Sequence, residues 1–143
     1  MENLIEQLHH LFGNYFVFYS KIHQFHWNIR GNNFPQYHDF FGDLYKDIWQ
    51  EIDVIAEKIR QQDYLVSANF IEISQWANIK NCSVDLCLNE MLQSLIEDDL
   101  IIQQNLNNCF SSANLINDQG LVNYFAGRLE YHQKLNWQLR SCL

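Results

Sequence analysis

Four side chains in this sequence stand where they could hold a metal: His26, His38, Asp53 and Glu57. Asp53 and Glu57 are four residues apart, so both carboxylates share one face of a helix. Like charges at that spacing cost an isolated helix about 0.2–0.5 kcal/mol. Their neighbours Trp49, Ile52 and Ala56 are not a solvent-facing set, so a plain solvated face explains the pair poorly. Imidazole nitrogens and carboxylate oxygens together suit Fe(II), a divalent ion that accepts both donor types. Neutral histidines would ligate, while the acids would neutralise the cation.

The elements that must position these groups are legible in the punctuation between them. Gly31 can end one helix in a left-handed turn, and Asn32, Asn33 and Pro35 can start the next. His26 lies five residues before Gly31 and His38 seven after it. In an antiparallel hairpin those positions are nearly level, so both imidazoles could reach one ion. Asp53, however, is fifteen residues beyond His38, roughly 22 Å along a helix rising ~1.5 Å per residue. One straight helix cannot bring His38 and Asp53 to the same ion. If all four bind together, they come from two chains.

These residues carry a resemblance. The pattern HxxHWNxxGxxF, a second histidine and then DxxAEKI resembles the signature of the Dps mini-ferritins. The similarity runs from the first helix through the closing YHQKLNWQLRSCL. It implies a ferroxidase site shared between two subunits, with His26 and His38 from one chain and Asp53 and Glu57 from its two-fold partner. It also implies a closed hollow homo-oligomer, a dodecamer built from two-fold dimers. Such a shell would oxidise Fe(II), with hydrogen peroxide as the favoured oxidant, and store Fe(III) mineral inside. In one place the sequence departs from the family: where a carboxylate usually follows the second histidine by four residues, this chain has Gly42. Asp118 matches a family pore position, whereas a second acidic pore position is Asn123 here.

Other sites are weaker. A di-iron centre within one bundle needs Glu-x-x-His on two helices, but Arg60 and Gln133 follow Glu57 and Glu130 at that spacing. The Glu97-Asp98-Asp99 cluster reads as a solvated face, although Asp99 lies close to an apolar stripe and has no account in the sequence. His9, His10, His23 and His132 form no convincing ligand spacing, although His23 and His26, three apart, could share an ion. Cys82, Cys87, Cys109 and Cys142 lack paired CxxC spacing and read as reduced, mostly buried thiols.

The elements themselves read as all-α. One proline, five glycines and a 48 % hydrophobic content support a single helical domain over 1–143. Leu4, Leu8, Leu11, Tyr15, Phe18, Ile22, Phe25 and Ile29 form the core stripe of a first helix over 3–30. Beside it runs a second stripe of Ile5, Phe12, Phe16, Tyr19 and His26. The second helix, over 34–61, has a core stripe from Phe34 to Ile59 and a second stripe of His38, Gly42, Tyr45, Trp49 and Asp53. Two apolar faces on one helix point to an interface. Residues 62–82 are too long for a structureless loop, and a short helix is expected from Ser67 to Trp76. That crossover makes the third helix, over 84–112 with Ser83 as its cap, parallel to the second. The fourth follows over 121–142. The architecture expected is a ferritin-like four-helix bundle with a short helix in its crossover.

Charge narrows the function classes. Seventeen acidic residues against nine basic ones give a net charge of −8. This disfavours nucleic acid and anionic membranes as partners and suits attraction of cations. The sequence contains no signal-peptide pattern and no apolar run long enough to span a bilayer, so a cytoplasmic location is expected. The reading is an iron-storing ferroxidase. Two alternatives stand beside it: a DNA-compacting stress protein, for which no lysine-rich tail is present, and a shell whose oxidation site has decayed at Gly42.

Overall fold

The computed structural model describes residues 2–143, which form five helices. They are α1 (Glu2–Asn28), α2 (Phe34–Gln61), α3 (Phe70–Gln75), α4 (Leu88–Leu115) and α5 (Gln119–Ser141). Cross-links between side chains fix the directions. Asn3 meets Ser112, Asn14 meets Asn105 and Lys21 meets Asp98. The α1 numbers rise as the α4 numbers fall, so these helices are antiparallel and α4 is parallel to α2. Arg128 reaches Asp47 and Tyr124 reaches Glu51, so α5 is antiparallel to α2. This is the ferritin-like arrangement that the long crossover implies.

The core follows the apolar stripes closely. All eight residues of the α1 stripe are buried, as are Phe41, Leu44, Ile48, Ile52, Ile55 and Ile59 of α2. Met91, Leu92, Leu95, Ile96, Ile102 and Leu106 of α4 meet Phe125, Leu135 and Leu139 of α5 in the same cluster. Phe34, by contrast, is exposed at the start of α2. Val122 and Leu129 of α5, and Leu88 and Phe110 of α4, pack only partly into the core.

Several boundaries differ from the sequence reading, most of all around the crossover. The third long helix starts at Leu88, not at 84. Cys87 is its cap, and the Glu90 carboxylate accepts from the Cys87 amide at 2.8 Å in a reciprocal capping box. Ser83 instead accepts from the Asp85 amide in a local turn, and Asp85 pairs with Arg30 at 2.7 Å. Cys87 is therefore an exposed thiol, not a buried one. The short helix of the crossover is trimmed to Phe70–Gln75, with the Asn69 side chain accepting from the Ile71 amide. Within this helix Ile73 is buried, whereas Phe70 is exposed.

The crossover is seated on α1 at Gly13. A Cβ there would stand 2.8 Å from the Ala77 nitrogen and the Ile73 oxygen. Only a glycine lets these backbones come so close. His10 adds a hydrogen bond from Nδ1 to the Trp76 carbonyl at 2.9 Å, and the His9 ring stacks on Trp76.

Candidate metal centre

The hairpin between α1 and α2 builds the histidine half of the site. Gly31 has φ +125°, the conformation that glycine alone adopts readily. The Asn33 carbonyl begins the second helix by accepting from the Tyr37 amide, and Pro35 occupies its first turn. The two helices then run back antiparallel with His26 directly opposite His38. Each imidazole donates from Nδ1 to the backbone carbonyl of the other residue, His26 to His38 at 2.6 Å and His38 to His26 at 2.7 Å. Carbonyl oxygens only accept, so both protons sit on Nδ1 and both Nε2 lone pairs are free. The rings lie parallel at 3.8 Å between centroids. Two Nε2 atoms are thus held side by side, each ring oriented by the hydrogen bond at its Nδ1, as metal-ligating histidines commonly are.

Aromatic groups frame the pair. Phe34 stacks on His38 and the Tyr45 edge meets His26. His23 stacks on Tyr45 at 4.0 Å and bonds to the Tyr19 hydroxyl at 3.0 Å. Burial, and then the nearby His26, hold the His23 pKa below the ordinary value. Gly42 lies under this group. A Cβ at that position would come within 3.1 Å of the His26 ring, so the imidazole leans into the space that a side chain would take.

The carboxylate half lies elsewhere on the molecule. Asp53 and Glu57 are exposed on α2, about four turns and more beyond His38. Asp53 lines an open, mostly apolar groove of 750 Å³ with Phe12, Phe16, Trp49, Ile52 and Phe70 among its walls. Trp49 is 52 % exposed and Trp27, beside His26, is 66 % exposed. Among the described residues, no three of the types His, Cys, Asp and Glu converge within one chain. The structure therefore brings His26 and His38 together and leaves Asp53 and Glu57 as a separate pair. Asp118, the expected pore acid, caps α5 by accepting from the Leu121 amide at 3.0 Å.

The ferritin-like domain family matches residues 5–143 of this chain. The chain belongs to that family. Within it the likeness is to Dps mini-ferritins, and this chain is one of them. It is 27 % identical to General stress protein 20U of Bacillus subtilis over 99 % of this chain and 98 % of that one. The Dps of Staphylococcus aureus superposes with a TM-score of 0.95 at 26 % identity, covering 100 % of this chain and 96 % of the other. The Dps of Vibrio cholerae, described as a member of a superfamily of ferritin-like diiron-carboxylate proteins, gives 0.93 at 26 % identity over 98 % and 88 %.

Sequence reading missed a second polar constellation, inside the bundle. His132 is fully buried; its Nδ1 donates to Asp99 at 2.6 Å and its Nε2 accepts from the Tyr15 hydroxyl at 2.7 Å. Arg128 donates from Nε to the same phenolic oxygen at 3.1 Å and pairs with Asp47 at 2.9 Å. The other Asp99 oxygen accepts from Gln103 at 2.8 Å and Asn136 at 2.9 Å. Asp99 is thus a buried, fully paired carboxylate and not part of a solvated face. Burial lowers the His132 pKa, against the opposing pull of Asp99, and raises that of Tyr15 well above the usual phenol range despite Arg128. The only available signal was that Asp99 and His132 occupy core-facing positions on their helices.

Proposed function

We propose that this mini-ferritin stores iron in a closed homo-oligomeric shell, expected to be a dodecamer, after oxidising Fe(II) at sites between two-fold related chains. His26 and His38 would come from one chain, and Asp53 and Glu57 from its partner. The observation that carries this reading is the reciprocal lock of His26 and His38. It holds two imidazoles in the ligand tautomer at one spot, with no third His, Cys, Asp or Glu among the described residues of the same chain to complete the site. Iron is the substrate, and Fe(II) oxidation with hydrogen peroxide is the expected reaction. The exposed Trp49 and the apolar groove beside Asp53 supply a surface that a second chain would cover. The net charge of −8 would favour entry of cations over anions.

Complementation between two defective chains tests the split site. A chain lacking His26 and His38 should be inactive alone, as should one lacking Asp53 and Glu57. Dissociated and reassembled together, random pairing makes about half the dimers mixed. One of the two sites in each mixed dimer is then intact, so about a quarter of all sites recover, given a two-fold isologous interface. Rapid Fe(II) oxidation should return to that extent in the mixture and in neither parent. A mixture verified by mass that stays as inactive as its parents would end the split-site reading.

A further inference from the structure

The buried chain Asp99–His132–Tyr15–Arg128 has no part in ligating iron as read above, yet its atoms are arranged for a specific chemistry. A phenol that loses an electron becomes a strong acid, so its oxidation is easy only where a base waits at hydrogen-bond distance. At Tyr15 that base is His132 Nε2, 2.7 Å away, and the Nδ1 proton on the other side of the ring already points at Asp99. An imidazolium formed there would face a carboxylate that Gln103 and Asn136 hold in place. Arg128 would keep its hydrogen bond to the phenolic oxygen. The ring is wholly buried, so no solvent reaches a radical formed on it.

We propose that Tyr15 is a redox-active tyrosine that gives one electron to the oxidant formed when a single Fe(II) reduces hydrogen peroxide, passing its proton to His132. This rests on the iron-oxidising reading of the histidine site. It also explains how a site with Gly42 in place of a third ligand could complete a two-electron reduction. One Fe(II) and one peroxide give Fe(III), hydroxide and a hydroxyl radical. Tyr15 reduces that radical to hydroxide by one electron, and its hydroxyl proton moves to His132, leaving a neutral phenoxyl and an imidazolium. A second Fe(II) returns the electron, the proton goes back from His132 to the phenoxyl oxygen, and the pair is restored. In sum, two Fe(II) and one peroxide yield two Fe(III) and two hydroxides.

Placement fits this role. Because His26 faces His38 in an antiparallel hairpin, Tyr15 lies level with Trp49 on α2, about one helical turn or ~6 Å along the axis from Asp53. Trp49 meets Tyr19 at 4.9 Å between ring centroids, and Tyr19 is one turn of α1 from Tyr15. Tyr19 also bonds to a histidine, His23. That pair is only partly buried, and His23 has no carboxylate bonded behind it among the hydrogen bonds of the described residues.

Electron paramagnetic resonance on the whole protein tests the proposal in two arms. In the first, iron-free protein meets azide radicals generated by a pulse. In the second, Fe(II)-loaded protein meets hydrogen peroxide, with a spin trap for escaping hydroxyl radicals. The unmodified protein should give in both arms a phenoxyl signal coupled to two exchangeable protons, those of His132 and Arg128, which vanish from the spectrum in D2O. Tyr15→Phe should lose that signal and release more trapped hydroxyl radical, whereas Tyr19→Phe should keep it. His132→Gln should shorten the lifetime of the radical. Absence of this doubly hydrogen-bonded phenoxyl from the unmodified protein, or its loss with Tyr19 instead of Tyr15, overturns the proposal. A Tyr15 signal in the iron-free arm alone overturns the electron-supplying role. Failure of the complementation experiment leaves the iron-free signal untouched, so the two readings fail separately.

Discussion

The His26–His38 pair orders two candidate ligands with two reciprocal hydrogen bonds to backbone carbonyls, framed by the Phe34 and Tyr45 rings. Gly42 is the residue on which that arrangement leans. An alanine there would gain the ordinary helix preference over glycine, about 1 kcal/mol. Its Cβ would also stand 3.1 Å from the His26 ring, which must move by a few tenths of an ångström. The expected outcome is a stability change within about 1 kcal/mol and a weaker Fe(II) site, because the lock to the His38 carbonyl is loosened. Gly42→Asp makes the same intrusion but adds an oxygen donor, so it should bind more Fe(II) per site than Gly42→Ala. Titration calorimetry under anaerobic conditions compares the three proteins. Equal affinity in the alanine variant and the parent would show that the close approach does not matter.

Among the elements, the stripes were the most legible part of the sequence, because a buried helix face needs an apolar residue at every third or fourth position. The eight-residue stripe of α1 is buried without exception. Helix ends were less legible, since a cap depends on which of several polar side chains finds an amide. Ser83 is a good cap by type, but the Cys87–Glu90 pair closes two bonds at once and wins. The candidate metal residues were chosen through spacing and family likeness together, and the structure pairs His26 with His38 while leaving Asp53 and Glu57 apart. The Asp99–His132 contact was not legible, because thirty-three positions on two different helices separate its members. The seat of the crossover was also invisible, and it carries a prediction. Gly13→Ala should destabilise the fold by about 1–3 kcal/mol, since backbone atoms of residues 73 and 77 cannot rotate away as a side chain can. A urea midpoint at or above that of the parent would refute it.

For the molecule as a whole, the buried network ties stability to pH. The folded chain holds His132 neutral with a lowered pKa, burial being the main cause. Below the unfolded value of about 6.5, the unfolded chain therefore binds a proton that the folded chain resists. Stability is then full above that pH and falls as acid is added through the folded pKa. His23 contributes with the same sign. Urea unfolding at pH 7.5 and 5.5, at one protein concentration because the proposed assembly would also stabilise, should show the loss. His132→Gln should show less of it, and an equal loss would place its origin elsewhere. The histidine lock has a further consequence, in the timing of synthesis. His26 and His38 are twelve positions apart, and Asp53 and Glu57 lie on the same α2 that closes the hairpin. Contacts so local in sequence are the quickest to form. Both halves of the proposed site are thus encoded in the first sixty or so residues of a growing chain, before α4 and α5 leave the ribosome. On the proposed reading, neither half would react until a second chain arrived. A newborn subunit would carry its iron ligands early yet stay chemically silent until it had found its place in the shell.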